Sequence, residues 1–483
     1  MAANVHEAPL EDGVRALVFG LALAAILLWS ARFATKDWHR AGLLASIILV
    51  GVWGYGHTYS ILKTLGELGL LLARHRFLLP VWLALTLVLI WYAWKTAPVS
   101  TATSRTLNLV AIILLAFPLF SLSNFTIRGL LARETEAIDV QSSASEDAPD
   151  IYYILTDAYS RQDVLADFYD FDNSNFLGQL KDLGFYVADC SLSNYPKTRL
   201  SLTSSLNLNY MEELGITAND QLDVFFRRIR NNVVRKTLAA EGYMIVSLET
   251  GFYWTEWPDA DVYFSGAAGG PGFWRLSGFE ALLLQTTVAR AVTDWQKQET
   301  ESPYSGSVSG GTPQEHYNIT SNALNALDGL GAVPGPKFVF AHLLIPHGPF
   351  VVDEQGNFTN EDRPLVEAHN AQLVYLNKRL IEILTNIIEE ASGPVVIILQ
   401  GDHGGPGTQQ SIDRMKILNA YYWPGHQEQL YPSITPVNTF RLIFDTIFGT
   451  EYGLLEDLGY YSTSDDFFDV TLIEDDNPAC ISP

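Results

Sequence analysis

The sequence predicts a two-part architecture, with N-terminal transmembrane helices followed by a doubly wound α/β domain. Three observations lead there. Four apolar runs crowd the start of the 483-residue chain. The net charge of −24 divides unevenly: residues 1–123 carry five acidic and nine basic groups, or +4, which leaves −28 for the remainder. Beyond residue 150, short apolar runs without alternation are interleaved with longer helical patterns. Such runs belong to strands in the middle of a sheet covered on both faces.

The apolar runs cover residues 14–29, 41–55, 77–94 and 106–122. Each is near the roughly 20 residues a helix needs to cross a hydrocarbon core of about 30 Å. Trp29, Trp53, Trp91 and Trp94 sit at or near run ends, as interfacial anchors do. Three similar runs follow the first, which argues against a cleaved signal peptide. Residues 61–76 are amphipathic, end in Arg-His-Arg and read as an interfacial segment. Four spans place both ends on one side. Basic residues are shared almost evenly between the two sets of loops, so the positive-inside rule leaves the orientation open. Residues 133–149 form a polar linker after an anchor of about four helices, 1–132.

The second part, 150–450, begins with a strand at 150–156 (DIYYILT) followed at once by Asp157. Helices are predicted at 173–183, 198–209 and 231–240, then a strand at 243–248. Residues 300–312 are rich in glycine and serine and read as a surface loop. A strand at 337–344 and a long helix at 368–391 follow. The run 395–400 (VVIILQ) reads as a central strand and leads into Gly401-Asp402-His403-Gly404-Gly405. The last helix, 435–448, has proline at its start and Gly449 at its end. Residues 451–483 read as an acidic C-terminal extension. Two cysteines, Cys190 and Cys480, exclude a disulfide scaffold and a cysteine-rich zinc module. They could pair in an oxidising compartment. The acidic balance excludes a nucleic-acid partner, which needs a basic face.

Open α/β sheets carry their chemistry just beyond the carboxyl ends of strands. Three strands here end in Asp157, in His342 to His347, and in Asp402-His403. An adjacent Asp and His supply a hard oxygen and an imidazole, a suitable pair for Zn²⁺ or Mn²⁺. The alternatives are a turn-capping Asp402 with an exposed His403, and an Asp157 that caps a helix. Thr198 opens a helix rich in Ser and Thr, where the helix dipole and free N–H groups would stabilise an alkoxide and a bound phosphoryl oxygen. An ordinary N-cap is the alternative for Thr198, and Ser201 is the second candidate nucleophile. Lys197 and Arg199 beside it, with His342 and His347, are candidate substrate contacts.

In order, the motifs run strand–Asp, Thr with a Ser/Thr-rich helix, His347-Gly348-Pro349, then Gly401-Asp402-His403-Gly404. This resembles the sulfatase-like branch of the alkaline phosphatase superfamily. With N-terminal spans it is most similar to membrane-anchored lipoteichoic acid synthases and phosphoethanolamine transferases. The segment 434–441 (ITPVNTFR) also resembles the end of such domains. The resemblance covers residues 150–449. It implies that Asp157, Thr198, Asp402 and His403 hold one divalent metal ion (Zn²⁺, Mn²⁺ or Mg²⁺, less so Ca²⁺). It implies that Thr198 is the nucleophile and that His347 contacts the substrate, a leaving group or a second metal. It also implies a catalytic domain on the extracytoplasmic side and a membrane lipid or lipid-linked glycan as substrate.

Two departures narrow this. Cys190 is followed by Ser-Leu-Ser-Asn, not by the Cys-x-Pro-x-Arg or Ser-x-Pro-x-Arg of formylglycine sulfatases. The region after Gly405 lacks a later His-Gly, which puts a second metal in doubt. The expected activity is metal-dependent phosphoryl-type transfer or hydrolysis on phosphodiester headgroups. The alternatives are a sulfatase or phosphatase acting on an exported glycan, and a non-catalytic relative that binds envelope components.

Overall fold

A computed structural model describes residues 12–63, 65, 72–95, 100–134, 148–216, 222–265, 280, 283–284, 286–292, 294, 313–409, 411–462, 469–473 and 480. The chain forms two compact units. One comprises Met1–Ile138 with Gly272–Glu301, the other Asp139–Pro271 with Ser302–Pro483. A segment from the middle of the sequence therefore belongs with the anchor, which the sequence reading did not separate from the α/β domain.

The first unit contains helices α1 (Asp12–Thr35), α2 (Trp38–Lys63), α3 (His75–Lys95) and α4 (Thr101–Glu134). Each expected apolar run lies within one of them. Among the described residues, three helices are long and apolar enough to cross a membrane. The apolar stretch of α4, Ser104–Phe120, is shorter. The middle of the interfacial segment predicted at 61–76, residues 66–71, and most of the linker at 133–149 lie outside the described residues. The 272–301 segment is bonded to the spans at several points. The Val288 amide donates to Val52 O at 2.9 Å, Arg15 pairs with Glu280, and His75 Nε2 meets Asp294 Oδ2 at 3.0 Å.

The second unit is built on a seven-stranded sheet. Its elements are β1 (Asp150–Thr156), α5 (Gln162–Tyr169), α6 (Ser174–Asp182), β2 (Tyr186–Val187), α7 (Thr198–Leu206), α8 (Leu222–Arg230), α9 (Val233–Ala240), β3 (Met244–Leu248) and β4 (Val262–Phe264). They continue with α10 (Pro313–Asp328), β5 (Lys337–Leu343), α11 (Leu365–Glu390), β6 (Val395–Gly401), β7 (Asn419–Tyr422) and α12 (Pro436–Phe448). The strand order is β2-β7-β6-β1-β5-β3-β4. Strands β6, β1, β5, β3 and β4 run parallel, whereas β7 pairs antiparallel with β6 and with β2.

Every residue of β1, β5 and β6 is buried, which explains their unbroken apolar runs. Side chains alternate between the two faces of a strand. Tyr152, Ile154, Val339, Ala341, Ile397 and Leu399 pack on one side with α5, α6, α10 and α11. Tyr153, Leu155, Phe338, Phe340 and Ile398 pack on the other with α7, α8, α9 and α12. The sheet is doubly wound, as expected.

The acidic tail is stitched to this unit rather than hanging from it. A short hairpin pairs β8 (Gly459–Tyr461) with β9 (Thr471–Ile473). The Asp457 carboxylate accepts hydrogen bonds from Thr435 N and Oγ1, Tyr431 Oη and Asn438 Nδ2. Cys480 forms a disulfide with Cys190, across a sequence separation of 290.

His369 on α11 is buried, with its ring stacked on Tyr169 at 4.1 Å. Burial pushes its pKa down to about 4, against a smaller opposing hydrogen bond from its Nδ1 to the Asn370 amide oxygen. An unfolded histidine titrates near 6.5, so between these values the unfolded chain binds the extra proton. Stability is then fully present above pH 6.5 and falls as pH drops toward 4. Acid unfolding monitored by circular dichroism should show His369→Phe removing up to about 3 kcal/mol of that loss. An unchanged acid midpoint would contradict the assignment.

Candidate metal and nucleophile site

Three neighbouring parallel strands deliver the site. Leu155 of β1 stands opposite His342 of β5, and Thr156 stands opposite Leu343 of β5 and Gly401 of β6. One residue further, Asp157 and Asp402 leave adjacent strand ends side by side. The Asp157 amide still donates to Leu343 O at 2.9 Å, and its carbonyl accepts from His347 N at 3.1 Å. The chain then turns through Ala158 at φ +67°, and the Ala158 amide donates to Asp402 Oδ1 at 3.0 Å. The His403 amide donates to the same oxygen at 2.9 Å. Two backbone donors thus fix one carboxylate oxygen of Asp402 and leave the other for a ligand.

Glycine is required around these ligands for steric reasons. A Cβ on Gly401 would lie 2.5 Å from Tyr159 O, and one on Gly404 would lie 2.6 Å from Asp413 O. Both contacts are with backbone, which cannot swing aside.

Asp157, Asp402 and His403 are all buried, and one ligand atom from each lies within 4.8 Å of the others. His403 Nε2 is 3.7 Å from Asp157 Oδ1 and 3.4 Å from Asp402 Oδ2. Asp157 Oδ1 and Asp402 Oδ2 are buried with no hydrogen-bond partner among the described residues. Buried, unpartnered carboxylate oxygens are costly unless a cation or donor meets them. Two of them beside an imidazole fit a hard divalent ion. Thr198 supplies a fourth group, because its Oγ1 lies 3.0 Å from His403 Nε2. It is the first residue of α7 rather than its cap, which is Lys197 in extended conformation.

The electrostatics agree with this placement. Burial opposes ionisation of Asp157, yet the charges of His347, His342 and His403 outweigh it and hold the carboxyl below the usual carboxylate range. Burial, helped by the Arg414 charge, pushes His403 down to about 4. His403 is therefore neutral near pH 7 and has a lone pair to give.

The sequence offers His342 as a substrate or metal contact, and the fold places its ring beside Asp157. It is 1% exposed, and its Nε2 is 3.7 Å from Asp157 Oδ2. Neither ring nitrogen has a hydrogen-bond partner among the described residues. So enclosed, it lies close enough to act on Asp157 or on a cation held there. His347 is only partly buried, and its Nδ1 lies 2.5 Å from Gly348 O. Lys197 and Arg199 flank Thr198 and are half-buried. Ser201 is buried one turn into α7, where the Ser193 hydroxyl donates to it at 3.3 Å, so it is poorly placed as a nucleophile.

Two groups were not anticipated. Arg414 donates to Pro196 O at 3.1 Å, to Gly404 O at 2.6 Å and to Gly405 O at 3.3 Å, with Nη2 3.1 Å from His403 Nε2. It ties the loop before Thr198 to the loop after Asp402. His316 of α10 is buried, and burial followed by the His347 charge pushes it down to about 4. Neither sits in a recognisable motif, and only the fold brings them close.

No protein-family model and no curated protein matches the chain. Solved structures do resemble it. The C-terminal periplasmic domain of EptC from Escherichia coli, in complex with Zn, aligns with a TM-score of 0.44 at 10% identity, covering 70% of this chain and 95% of that one. The integral membrane lipooligosaccharide phosphoethanolamine transferase A from Neisseria meningitidis aligns at 0.41 and 10% identity, covering 92% and 85%. A putative sulfatase, YidJ from Bacteroides fragilis, aligns at 0.35 and 10%, covering 64% and 75%.

Metal titration of the purified chain should give about one tight divalent site, read by calorimetry and elemental analysis. Asp157→Asn and Asp402→Asn should each weaken it at least about tenfold. Unchanged affinity in both would remove the site from this strand edge.

Proposed function

We propose that this chain is a membrane-anchored, metal-dependent phosphotransferase or hydrolase that acts on phosphodiester headgroups of lipids or envelope glycans, with Thr198 as nucleophile. The observation that carries the reading is a helix-initial hydroxyl 3.0 Å from the imidazole of a buried Asp-Asp-His group. Thr198 stands at the start of α7, where free backbone N–H groups favour developing negative charge. Asp157, Asp402, His403 and Thr198 Oγ1 would hold the divalent ion. When bound, it would lower the pKa of a coordinated hydroxyl and neutralise charge on the transferring group.

The chain's own residues do the rest. The Thr198 hydroxyl gives up its proton to solvent water, and Oγ1 attacks the phosphorus in line. The bond from phosphorus to the lipid alcohol breaks, and His347, partly buried and with its amide bonded to Asp157 O, gives the departing oxygen a proton. An acceptor hydroxyl or water then attacks the phosphothreonine, returning Thr198 and releasing the product. Lys197 and Arg199 flank the nucleophile with positive charge suited to a phosphodiester. Arg414 holds the Thr198 and Asp402 loops in register.

The Cys190–Cys480 disulfide supports an extracytoplasmic α/β unit, since such bonds persist in oxidising compartments. A fourth crossing has its own support. Residues 280–294 bond to the amino ends of α1 and α3 and to the carboxyl half of α2. If α1 to α3 span the bilayer, α3 ends on the opposite face. The chain must then cross back between residues 95 and 280, and α4 is the helix available.

Thr198→Ala should lower headgroup release at least about a thousandfold. Mass spectrometry of wild-type protein quenched during turnover should find a phosphoryl-type adduct on Thr198. A bare phosphate would mark hydrolysis of a monoester, and a larger adduct would mark headgroup transfer. Full turnover by Thr198→Ala would sink the reading.

A further inference from the structure

The anchor unit carries a basic cluster that the chemistry at Thr198 does not use. It lies where α2 ends and α3 begins. Arg290 of the 272–301 segment lies over the Tyr59 ring at 4.2 Å, and Lys63 lies against the same ring at 4.9 Å. His75 stacks on that ring at 4.6 Å with its plane tilted by only 7°. Arg290 donates to Ser60 Oγ at 3.0 Å and to Asp294 Oδ2 at 3.2 Å. Asp294 also meets His75 Nε2 at 3.0 Å, and His75 Nδ1 is 2.7 Å from Tyr55 Oη. The platform of tyrosines and histidine is therefore held in place by hydrogen bonds.

Among the described residues, the charges on this platform do not balance internally. Asp294 is the carboxylate joined to it among the described residues, and it is shared by His75 and Arg290. Lys63, Arg74 and Arg76 have no carboxylate partner among the described residues, and all three are exposed. Arg76 instead covers the Phe77 ring at 4.9 Å. Two cations crowded on one aromatic ring repel each other unless an anion joins them. Beside them begins the exposed apolar surface of the spans, including Ile61, Phe77 and Val81. With this end extracytoplasmic, as proposed above, an excess of Lys and Arg runs against the usual cytoplasmic enrichment. Orientation alone therefore gives no reason for it.

We propose that Lys63 and Arg290, on the Tyr59–His75 platform, together with Arg74 and Arg76 at the adjoining start of α3, bind the phosphate of an anionic membrane lipid whose chains lie along the spans. The cations meet the phosphate, and the tyrosines sit at headgroup depth, as aromatic residues do at membrane interfaces. The proposal rests on reading α1–α3 as spans and not on the reaction at Thr198.

The test is lipid retention by the full-length chain in mild detergent, read by native mass spectrometry. Phosphatidylglycerol and phosphatidylcholine are added separately. Wild-type protein should retain phosphatidylglycerol at least about tenfold more strongly than phosphatidylcholine. The triple variant Lys63→Gln, Arg74→Gln, Arg76→Gln should lose that preference. These three side chains are exposed, so the variant should fold, with unchanged circular dichroism as the check. Lys63→Arg should keep the preference. Equal retention of both lipids by wild type, or an undiminished preference in the triple variant, would overturn the proposal. Displacement of the lipid by millimolar inorganic phosphate would overturn the lipid assignment in favour of free phosphate. Thr198→Ala should bind phosphatidylglycerol as wild type does, so failure of the catalytic reading leaves this result distinguishable.

Discussion

Two buried carboxylates, side by side at the ends of adjacent parallel strands, are the constraint on which the rest of the α/β unit depends. The pairing of β1 with β6 fixes it, because Thr156 opposite Gly401 makes Asp157 and Asp402 neighbours. Leaving two such charges uncompensated away from water would cost several kcal/mol. The surroundings respond to that. Amides of Ala158 and His403 satisfy one oxygen of Asp402, His342 sits beneath Asp157, and His403 is held neutral between the carboxylates. What remains unpartnered among the described residues is one oxygen on each acid, near an imidazole that meets a hydroxyl at a helix start. The chemistry proposed here follows from those two oxygens.

Arg414 shows how the fold keeps the site in shape. Its guanidinium bonds the carbonyls of Pro196, Gly404 and Gly405, and so joins the nucleophile's loop to the loop that carries Asp402. A lysine could not span three carbonyls in this way, since it lacks the planar fork. The glycines at 401 and 404 let the two loops approach to backbone distance.

Much of this was legible in the sequence for a definite reason. Central strands β1, β5 and β6 are buried on both faces, so each reads as an unbroken apolar run that ends abruptly in a polar residue. That abrupt end located Asp157, Asp402 and His403. Short edge strands such as β2 and β4, of two and three residues, carry too little pattern to read. Helices α5, α8 and α10 were missed because their apolar positions are few and interrupted by charge. His342 was visible as a residue type, but which way it points depends on the strand's register, and the register placed it under Asp157 rather than toward solvent. Arg414 lies 11 residues past His403 in a single 3-10 turn, Ile412–Met415, too short for its spacing to carry a pattern. The membership of 272–301 in the anchor unit was equally hidden, because its bonds to Arg15, Val52, Ser60 and His75 span more than 200 positions.

The central claim is that a divalent cation sits between Asp157, Asp402, His403 and Thr198. Crystals of the full-length protein grown with Zn²⁺ and measured at the zinc absorption edge test it most directly. The account predicts an anomalous peak about 2.0–2.2 Å from an oxygen of each aspartate, from His403 Nε2 and from Thr198 Oγ1. In that state Arg414 Nη2, which lies 3.1 Å from His403 Nε2, should have moved off it. A zinc-saturated crystal with no peak at this strand edge, and Arg414 still bonded to His403, would contradict it.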